Sequence, residues 1–336
     1  MGFVALATLY ITEPGARIEK EYQRLLVTKD DEVLLRVPLS RVSDVVLVGR
    51  TGATTPALLA LLDAGIGLAF VSSSGALRGQ LVPPLPKNIP LRHQQYARAQ
   101  DQAFCLEVGR AIVGGKLRNE RTLARRLGRS RAGSDESLVE QISRAIKGVK
   151  AADDLDSLRG LEGAGARAYF HILRQSLPEE WGFEKRVRRP PGDPVNALLS
   201  LGYTLLGQNM MTALEVVGLD PYDGFFHADK YGRPALALDL VEEFRTVIVD
   251  SVVLTVVNKR ILKPGDFQPG SQGGFFLKQR GLKEFLTQYS ARLQTEVFHP
   301  VAGRPLTYQK CFEVQAWQMR KAIEGQRESY LPFLAK

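Results

Sequence analysis

The chain has 336 residues, 44% of them hydrophobic, so it can bury a sizeable core, and this length suits two domains better than one. Its formal net charge of +9 predicts an acidic partner, with nucleic acid favoured over an anionic membrane surface. No uncharged apolar run reaches about eighteen residues and no signal-peptide pattern opens the chain, so the sequence predicts a cytoplasmic protein without a membrane segment.

Short runs with a period of two, rich in Val, Leu and Ile, dominate residues 1–82 and predict strands. The predicted strands are LATLYI, YQRLLV, EVLLRV, SDVVLV, IGLAFV and LRGQLV. One helix interrupts them, with Thr55 as its N-cap, Pro56 at its first position and Gly65 at its end. We therefore expect a small amino-terminal β-domain that resembles a sandwich.

A proline-rich segment, residues 83–90, separates this part from the rest of the chain. Its four prolines exclude a central strand or a continuous helix, so we place a linker there. From Leu91 onward, apolar residues recur at helical spacing. The predicted helices cover residues 92–117, 120–127, 137–149, 155–177, 195–217, 238–259, 281–297 and 308–324. The predicted fold class is α+β, with the β-domain followed by a larger all-α domain, residues 91–336.

Four residues of the helical part have side chains that suit a metal site: Glu162, His227, Asp239 and Glu242. Asp239 and Glu242 are three residues apart, which places both carboxylates on one helical face, where a cation or water must separate them. Glu162 lies alone in an apolar segment, where an acid needs a partner. Oxygen ligands with one imidazole favour Mg²⁺ or Mn²⁺ over zinc. The alternative, that these residues only form helix faces and caps, stays open.

Basic residues cluster in two segments of the helical part. The first contains Lys116, Arg118, Arg121, Arg125, Arg126, Arg129 and Arg131, and the second contains Lys185, Arg186, Arg188 and Arg189. Either cluster alone is typical of a solvated helix face. Beside a candidate metal site, the two together favour contacts with a phosphate backbone. The residues predicted to bind DNA are Arg118, Arg121, Arg125, Arg126, Arg186, Arg188, Arg189 and Arg245.

Three runs, LEGAGARAYF, GLDPYDGFFH and ALALDLVEEFR, resemble in order and spacing those of the CRISPR-associated integrase, the large metal-dependent subunit of the spacer-acquisition complex. The runs RRPPGDPVNALLSLGYTLL and VVLVGRTGATTPALLALLDAGIGLAFVSSSGALRGQL are also similar to that family, so the resemblance covers nearly the whole chain. It implies that Glu162, His227 and Glu242 are catalytic and hold a divalent metal, Mg²⁺ or Mn²⁺. Asp239 matches a further acidic position, which implies a supporting residue or an alternate ligand.

The resemblance implies an enzyme that joins the 3′-hydroxyl ends of short double-stranded DNA fragments to CRISPR repeat DNA, and that cuts DNA when water replaces the hydroxyl. It also implies a homodimer through the β-domain and a small ferredoxin-like adaptation subunit as partner. Two alternatives are a structure-specific metal-dependent nuclease that never joins strands and a non-catalytic nucleic-acid-binding scaffold. In the scaffold, Glu162 and Glu242 would pair with arginines such as Arg167 or Arg245.

Overall fold

The computed structural model describes residues 7–72, 75, 77–83, 88–130, 136–188, 190–227, 230–270 and 273–335. Along these residues, a part built mainly of strands precedes a mostly helical part, which confirms the α+β class. None of the helices in these ranges is both long enough and apolar enough to cross a membrane.

The amino-terminal part is organised around two sheets. Its elements are β1 (Ala7–Ile11), β2 (Arg17–Glu21), β3 (Arg24–Lys29), β4 (Glu32–Pro38), β5 (Val42–Val48), β6 (Gly52–Ala53), α1 (Thr55–Asp63), β7 (Gly67–Val71) and β8 (Leu77–Leu81). The first sheet has the strand order β1-β5-β7-β8, with β8 antiparallel to β7 and the other pairs parallel. The second sheet has the order β4-β3-β2-β6. The short strands β2 and β6 were absent from the predicted set.

Strand β5 shows how the first sheet lies between two layers. Val45 and Leu47 belong to a core that the two sheets and α1 share, whereas Val46 and Val48 belong to the core of the helical part. Successive side chains of a strand point to opposite faces, so a strand that is apolar at consecutive positions is buried on both sides. The β-domain therefore has its own core and a second face covered by helices.

The helical part begins at Ile89. Its helices are α2 (Ile89–Ala99), α3 (Gln102–Ser130), α4 (Glu136–Val149), α5 (Leu155–Gln175), α6 (Pro194–Val217), α7 (Ala235–Val241), α8 (Ser251–Asn258), α9 (Gln279–Leu293) and α10 (Tyr308–Ile323). A π-helical segment, Arg245–Asp250, precedes α8. Two hairpins, β9 (Phe267–Pro269) with β10 (Phe275–Leu277) and β11 (Glu296–His299) with β12 (Arg304–Thr307), interrupt the helices. This part is thus mostly helical rather than all-α.

Three helix boundaries differ from the predicted ones for local reasons. The N-cap of α1 is Thr54 rather than Thr55. The helix predicted to begin at residue 92 begins at Ile89, because proline is tolerated in a first helical turn and Pro90 occupies that turn. That helix then ends at Ala99, and α3 starts anew where Asp101 accepts hydrogen bonds from the first free N–H groups.

Helices α3 and α5 approach closely, and this contact positions the candidate site. A Cβ atom at Gly165 of α5 would lie 2.3 Å from a methyl carbon of Leu117 of α3, so only glycine permits the observed distance between the helices. Leu117 is the neighbour of Lys116, and Gly165 lies one turn after Glu162. The close packing therefore brings the side chains of Lys116 and Glu162 within contact.

Candidate metal centre and DNA-binding surface

The imidazole of His227 lies between two carboxylates. Its Nδ1 is 2.8 Å from Asp239 Oδ1, and its Nε2 is 3.8 Å from Glu242 Oε1. Asp239 also accepts hydrogen bonds from the backbone N–H groups of Phe225, Phe226 and His227, at 2.7, 3.1 and 2.9 Å. The two acids that the sequence places on one helical face are therefore separated by the ring. Both oxygens of the buried Asp239 carboxylate are used to hold the loop and the ring.

Asp239 determines which nitrogen of His227 is available to a ligand. Because its carboxylate accepts the proton at Nδ1, the lone pair lies on Nε2, which faces Glu242. A histidine whose other ring nitrogen donates to a carboxylate is the usual arrangement at metal sites. Two acceptors that face each other attract a cation between them, so this pair fits a positive ligand.

Glycine allows the loop that carries His227 to reach Asp239. A Cβ atom at Gly224 would lie 2.7 Å from the backbone carbon of Ala235, at the start of α7. Any larger residue would push the loop away from α7 and lengthen its hydrogen bonds to Asp239. The run GLDPYDGFFH thus requires its second glycine for packing.

Glu242 directly follows α7 and contacts two cations. Its Oε2 is 2.7 Å from Lys116 Nζ, and its Oε1 is 3.0 Å from Arg245 Nη2, while only 4% of its side chain is exposed. Burial by itself would raise the pKa of Glu242, but the charges of Arg245 and Lys116 oppose burial and hold that pKa well below its usual range. Glu242 is therefore an anion at neutral pH.

Lys116 also contacts Glu162, so one ammonium group connects two carboxylates. Burial would lower the pKa of Lys116, but Glu242, Glu120 and Glu162 outweigh it and raise that pKa above its ordinary value. The Lys116 side chain is 8% exposed, whereas that of Glu162 is 27% exposed. The site is therefore buried on the Lys116 side and open to solvent beside Glu162.

The candidate donors are the carboxylates of Glu162 and Glu242 and the imidazole of His227. In the described ranges, no three His, Cys, Asp or Glu side chains already have the spacing of a metal site. Instead, the ammonium of Lys116 stands in for a cation between Glu162 and Glu242. Two carboxylates and an imidazole lone pair suit Mg²⁺ or Mn²⁺, so the residues fit such an ion once the ammonium moves aside.

The sequence groups Lys116 with the first basic cluster, and the structure instead places it at the candidate site between Glu162 and Glu242. A usable signal was present, because Ile112 and Val113 precede Lys116 by four and three residues on the same helical face, and both are buried. A lysine on an apolar helical face requires an acidic partner. The partner that the scaffold alternative gave to Glu162 was Arg167, whereas the ion pair is made with Lys116.

The model of the family described as CRISPR associated protein Cas1 matches residues 9–291 of the chain. The chain belongs to the Cas1 family. The CRISPR-associated endonuclease Cas1 3 of Thermus thermophilus is 37% identical over 334 residues, which cover 98% of this chain and 98% of that protein. The Cas1-family chain is accordingly a CRISPR-associated endonuclease, and enzymes of the family depend on a metal. This decides against the non-catalytic scaffold.

Two solved structures are similar to this Cas1-family chain throughout its length. A Cas6-RT-Cas1–Cas2 complex has a TM-score of 0.85 and 26% identity, covering 99% of this chain and 36% of that chain. A casposase bound to an integration product has a TM-score of 0.83, covering 97% of this chain and 93% of that one. The casposase is 21% identical, so this likeness shows the shared fold alone.

In the Cas1-family chain, several of the predicted DNA-binding arginines lie on α3. Arg118, Arg121 and Arg125 follow at spacings of three and four, so they share one helical face. Arg125 and Arg126 are exposed. Burial, followed by the charges of Arg125 and Arg118, lowers the pKa of Arg121, as expected where cations crowd together. Arg131 lies outside the described residues.

The second basic cluster is divided by the structure. Arg186 donates to Asn196 Oδ1 at 2.9 Å and to Ser200 Oγ at 3.0 Å, so its guanidinium supports the start of α6. Arg188 is exposed, and Arg189 lies outside the described residues. Arg245 lies partly buried beside Glu242, with 17% of its side chain exposed and its guanidinium carbon 4.6 Å from the centre of the Tyr203 ring. Arg245 therefore belongs to the candidate metal centre rather than to an exposed surface.

Proposed function

We propose that Glu162, His227 and Glu242 hold a divalent ion, Mg²⁺ or Mn²⁺, and that the chain joins 3′-hydroxyl ends of short double-stranded DNA fragments to CRISPR repeat DNA. When bound, the ion supplies charge that polarises a phosphate oxygen and stabilises the leaving oxygen. With water in place of the hydroxyl, the same site cuts DNA. The nucleophile comes from DNA or water, so the side chains bind, orient and neutralise.

The observation that carries this proposal is the cation position between Glu162 and Glu242. Lys116 occupies it, and the free lone pair of His227 faces the same Glu242 carboxylate. Asp239 keeps that lone pair available by accepting the other ring proton. A site that already balances a positive charge with two acids and an oriented imidazole has the donors that a divalent ion requires.

Charge at the centre also suits a DNA phosphate. Lys116 and Arg245 already balance the negative charges of Glu162 and Glu242. A bound divalent ion adds an excess of positive charge, which a phosphodiester group would offset. We expect the displaced ammonium of Lys116 and the guanidinium of Arg245 to contact the transferred phosphate, where charge-assisted hydrogen bonds are strong.

The DNA backbone is proposed to lie along α3. Arg118, Arg121 and Arg125 share one face of that helix, Arg126 lies beside this face, and we call the four the α3 arginines. Lys116 of the same helix points into the metal centre, so DNA bound along α3 would be led to the site. Arg188 and Arg189 complete the proposed contacts, whereas Arg186 is proposed to act through the packing of α6.

A domain division is part of the proposal: residues 1–82, a linker predicted at 83–90, and a helical part that starts with α2 at Ile89 rather than at Leu91. A homodimer through the β-domain is proposed as well. Strand β4 lies at a sheet edge and exposes Val33, Leu34 and Leu35 by 38%, 49% and 46%. An apolar edge strand invites pairing, and a two-fold interface uses the same patch on both subunits. Packing of the β-domain on its own helices alone would leave this strand uncovered.

A small ferredoxin-like adaptation subunit is the proposed protein partner, and the cytoplasm is the proposed compartment. Support comes from the Cas6-RT-Cas1–Cas2 complex, since the similar structure was solved as an assembly with a Cas2 component. We propose that this chain assembles in the same way and that the partner sets the distance between two active sites.

Joining of a 3′-ended DNA fragment into a supercoiled plasmid, with Mn²⁺ or Mg²⁺, tests the function. Glu162→Ala, His227→Ala and Glu242→Ala should each abolish joining while circular dichroism shows a folded chain, because each removes one donor from the ion. Glu296→Ala is the matched control, since Glu296 is exposed on β11. Retained joining by the Glu162 variant would refute the assignment of the site.

The same assay separates an integrase from a nuclease that never joins strands. Covalent fragment-plasmid products are expected, together with cut plasmid. If the chain cuts branched or plasmid DNA but forms no joined product under any metal, the nuclease alternative is correct and the joining proposal is wrong.

A further inference from the structure

The carboxyl-terminal segment, residues 330–335, has no helix or strand, yet two of its aromatic side chains are buried while Leu331 between them is exposed. Tyr330 is 2% exposed and Phe333 is 0% exposed. The Phe333 ring stacks on Phe244, with 5.0 Å between the ring centres. A terminal segment that is packed this firmly has contacts that specify its place, and we call it the tail.

The first anchor of the tail is Glu243, the residue after Glu242. Glu243 is fully buried, and one of its carboxylate oxygens accepts a hydrogen bond from the Tyr330 hydroxyl. The other oxygen accepts from the Phe333 N–H at 2.6 Å and from Gln315 Nε2 at 2.9 Å. A buried carboxylate depends on such donors, and two of these three come from the tail.

The second anchor is Asn119, one turn after Lys116 on α3. Its Nδ2 donates to the Glu243 carbonyl at 2.8 Å and to the Phe333 carbonyl at 3.0 Å. Its Oδ1 accepts from the Ala335 N–H at 2.9 Å. The tail and Asn119 thus form one hydrogen-bonded unit with the chain around Glu242.

Pro332 of the tail also packs directly on α3. A Cβ atom at Gly115, the residue before Lys116, would lie 2.6 Å from Pro332 Cβ. Only glycine at this position lets the Pro332 ring pack so closely on α3, so the surface of α3 is complementary to the tail here. The tail therefore contacts the neighbours of Lys116 on one side and the neighbour of Glu242 on the other.

We propose that the tail positions the metal centre by holding α3 and the Glu242 segment at a set distance. This inference rests on the proposed metal site. Lys116 and Glu242 lie far apart in the chain, so the relative position of their side chains depends on tertiary contacts between the segments that carry them. Metal and phosphate sites tolerate shifts of only about half an ångström, so loss of the tail would weaken the site without touching a ligand.

The test uses a chain that ends at Ser329 and a synthetic peptide of residues 329–336. We expect the shortened chain to bind Mn²⁺ about tenfold or more weakly by calorimetry and to lose joining to a similar extent. Its DNA affinity, measured by fluorescence anisotropy without metal, should stay at the parent value. The peptide should restore Mn²⁺ binding, and a peptide with Phe333→Ala should not.

Tyr330→Phe in the full chain covers the case in which the shortened chain fails to fold. It removes one donor to Glu243 and keeps the ring, so Mn²⁺ affinity should fall while DNA affinity is unchanged. Glu328→Ala, at an exposed position before the tail, is the control and should match the parent. Parent-level Mn²⁺ affinity in Tyr330→Phe and in a folded shortened chain would overturn the inference. If the tail variants keep parent affinity while Glu162→Ala loses Mn²⁺ binding, the inference about the tail is wrong but the proposed function stands.

Discussion

Lys116 and Glu242 form a buried ion pair, with Nζ 2.7 Å from Oε2. The ammonium group lies where the proposed divalent ion would be neutralised by the carboxylates. Both side chains are less than a tenth exposed. Their charges are therefore screened weakly by water, and either residue alone would be an uncompensated buried charge. We therefore expect the metal-free protein to depend on this lysine, and a divalent ion at the proposed site to compete with it.

Replacing Lys116 by methionine should destabilise the metal-free protein by about 3–5 kcal/mol, because Glu162 and Glu242 lose their shared cation. Added Mn²⁺ should then raise the melting temperature of Lys116→Met more than that of the parent, since no ammonium has to be displaced. Thermal melts with and without Mn²⁺ measure both effects. Lys310→Met, at an exposed ion pair on α10, is the control. Equal metal-dependent shifts in the variant and the parent would contradict the competition.

Asp239→Asn should lower joining activity by about 10- to 100-fold, because it weakens the orientation of His227 without removing a ligand. The asparagine amide would also place a donor against N–H groups that need an acceptor, so the free energy of unfolding should fall by about 1–3 kcal/mol. Urea unfolding and the joining assay measure the two quantities. A variant with parent activity and parent stability would show that Asp239 does not hold the ring.

The dependence of the metal-free protein's stability on pH should come in part from Glu120. Burial raises the pKa of Glu120 to about 8, with Glu162 and Glu242 adding to the effect and Lys116 opposing it. Because this acid titrates at a higher pH in the folded chain than in the unfolded chain, its contribution lowers stability as pH rises from its ordinary pKa of 4.5 to about 8. Glu120→Gln should therefore lose less stability than the parent over that window, as followed by urea unfolding at its two ends. Glu107→Gln, at an exposed position on α3, should follow the parent.

Replacing Arg118, Arg121 and Arg125 together by glutamine should weaken DNA binding and flatten its dependence on salt. Each lost phosphate contact reduces the slope of log affinity against log salt by roughly 0.9 for duplex DNA. Mn²⁺ affinity should stay unchanged, since these side chains lie outside the metal centre. Arg144→Gln, on the exposed surface of α4, is the control. An unchanged slope in the triple variant would mean that the α3 arginines are only a solvated face.

Leu34→Glu with Leu35→Glu should convert a dimer into a monomer, because the changes place charge on the exposed apolar edge of β4. Light scattering at micromolar concentration measures the mass of the parent and the variant, and a truncation that starts at Leu91 locates the interface in the β-domain. A monomeric parent would contradict the homodimer, and a dimeric double variant would place the interface elsewhere.

The sequence by itself determined the fold class and most of the elements, and it named the acids and the histidine of the candidate centre. Strands such as SDVVLV and helices such as that around Glu162 are set by the period of their apolar residues, which is a local property. Spacing within one helix also placed Asp239 and Glu242 on a common face. The resemblance to a known family then gave these residues their expected roles.

Only the tertiary structure decided which of those side chains contact one another and what role each contact gives them. Lys116 belongs to the candidate metal centre because it contacts Glu162, which lies on another helix, 46 residues further along the chain. Asp239 turns towards the loop of His227, so it supports the ring. The tail reaches Asn119 across a separation of 214 residues. No local period encodes contacts between such distant residues, because they depend on how whole helices pack.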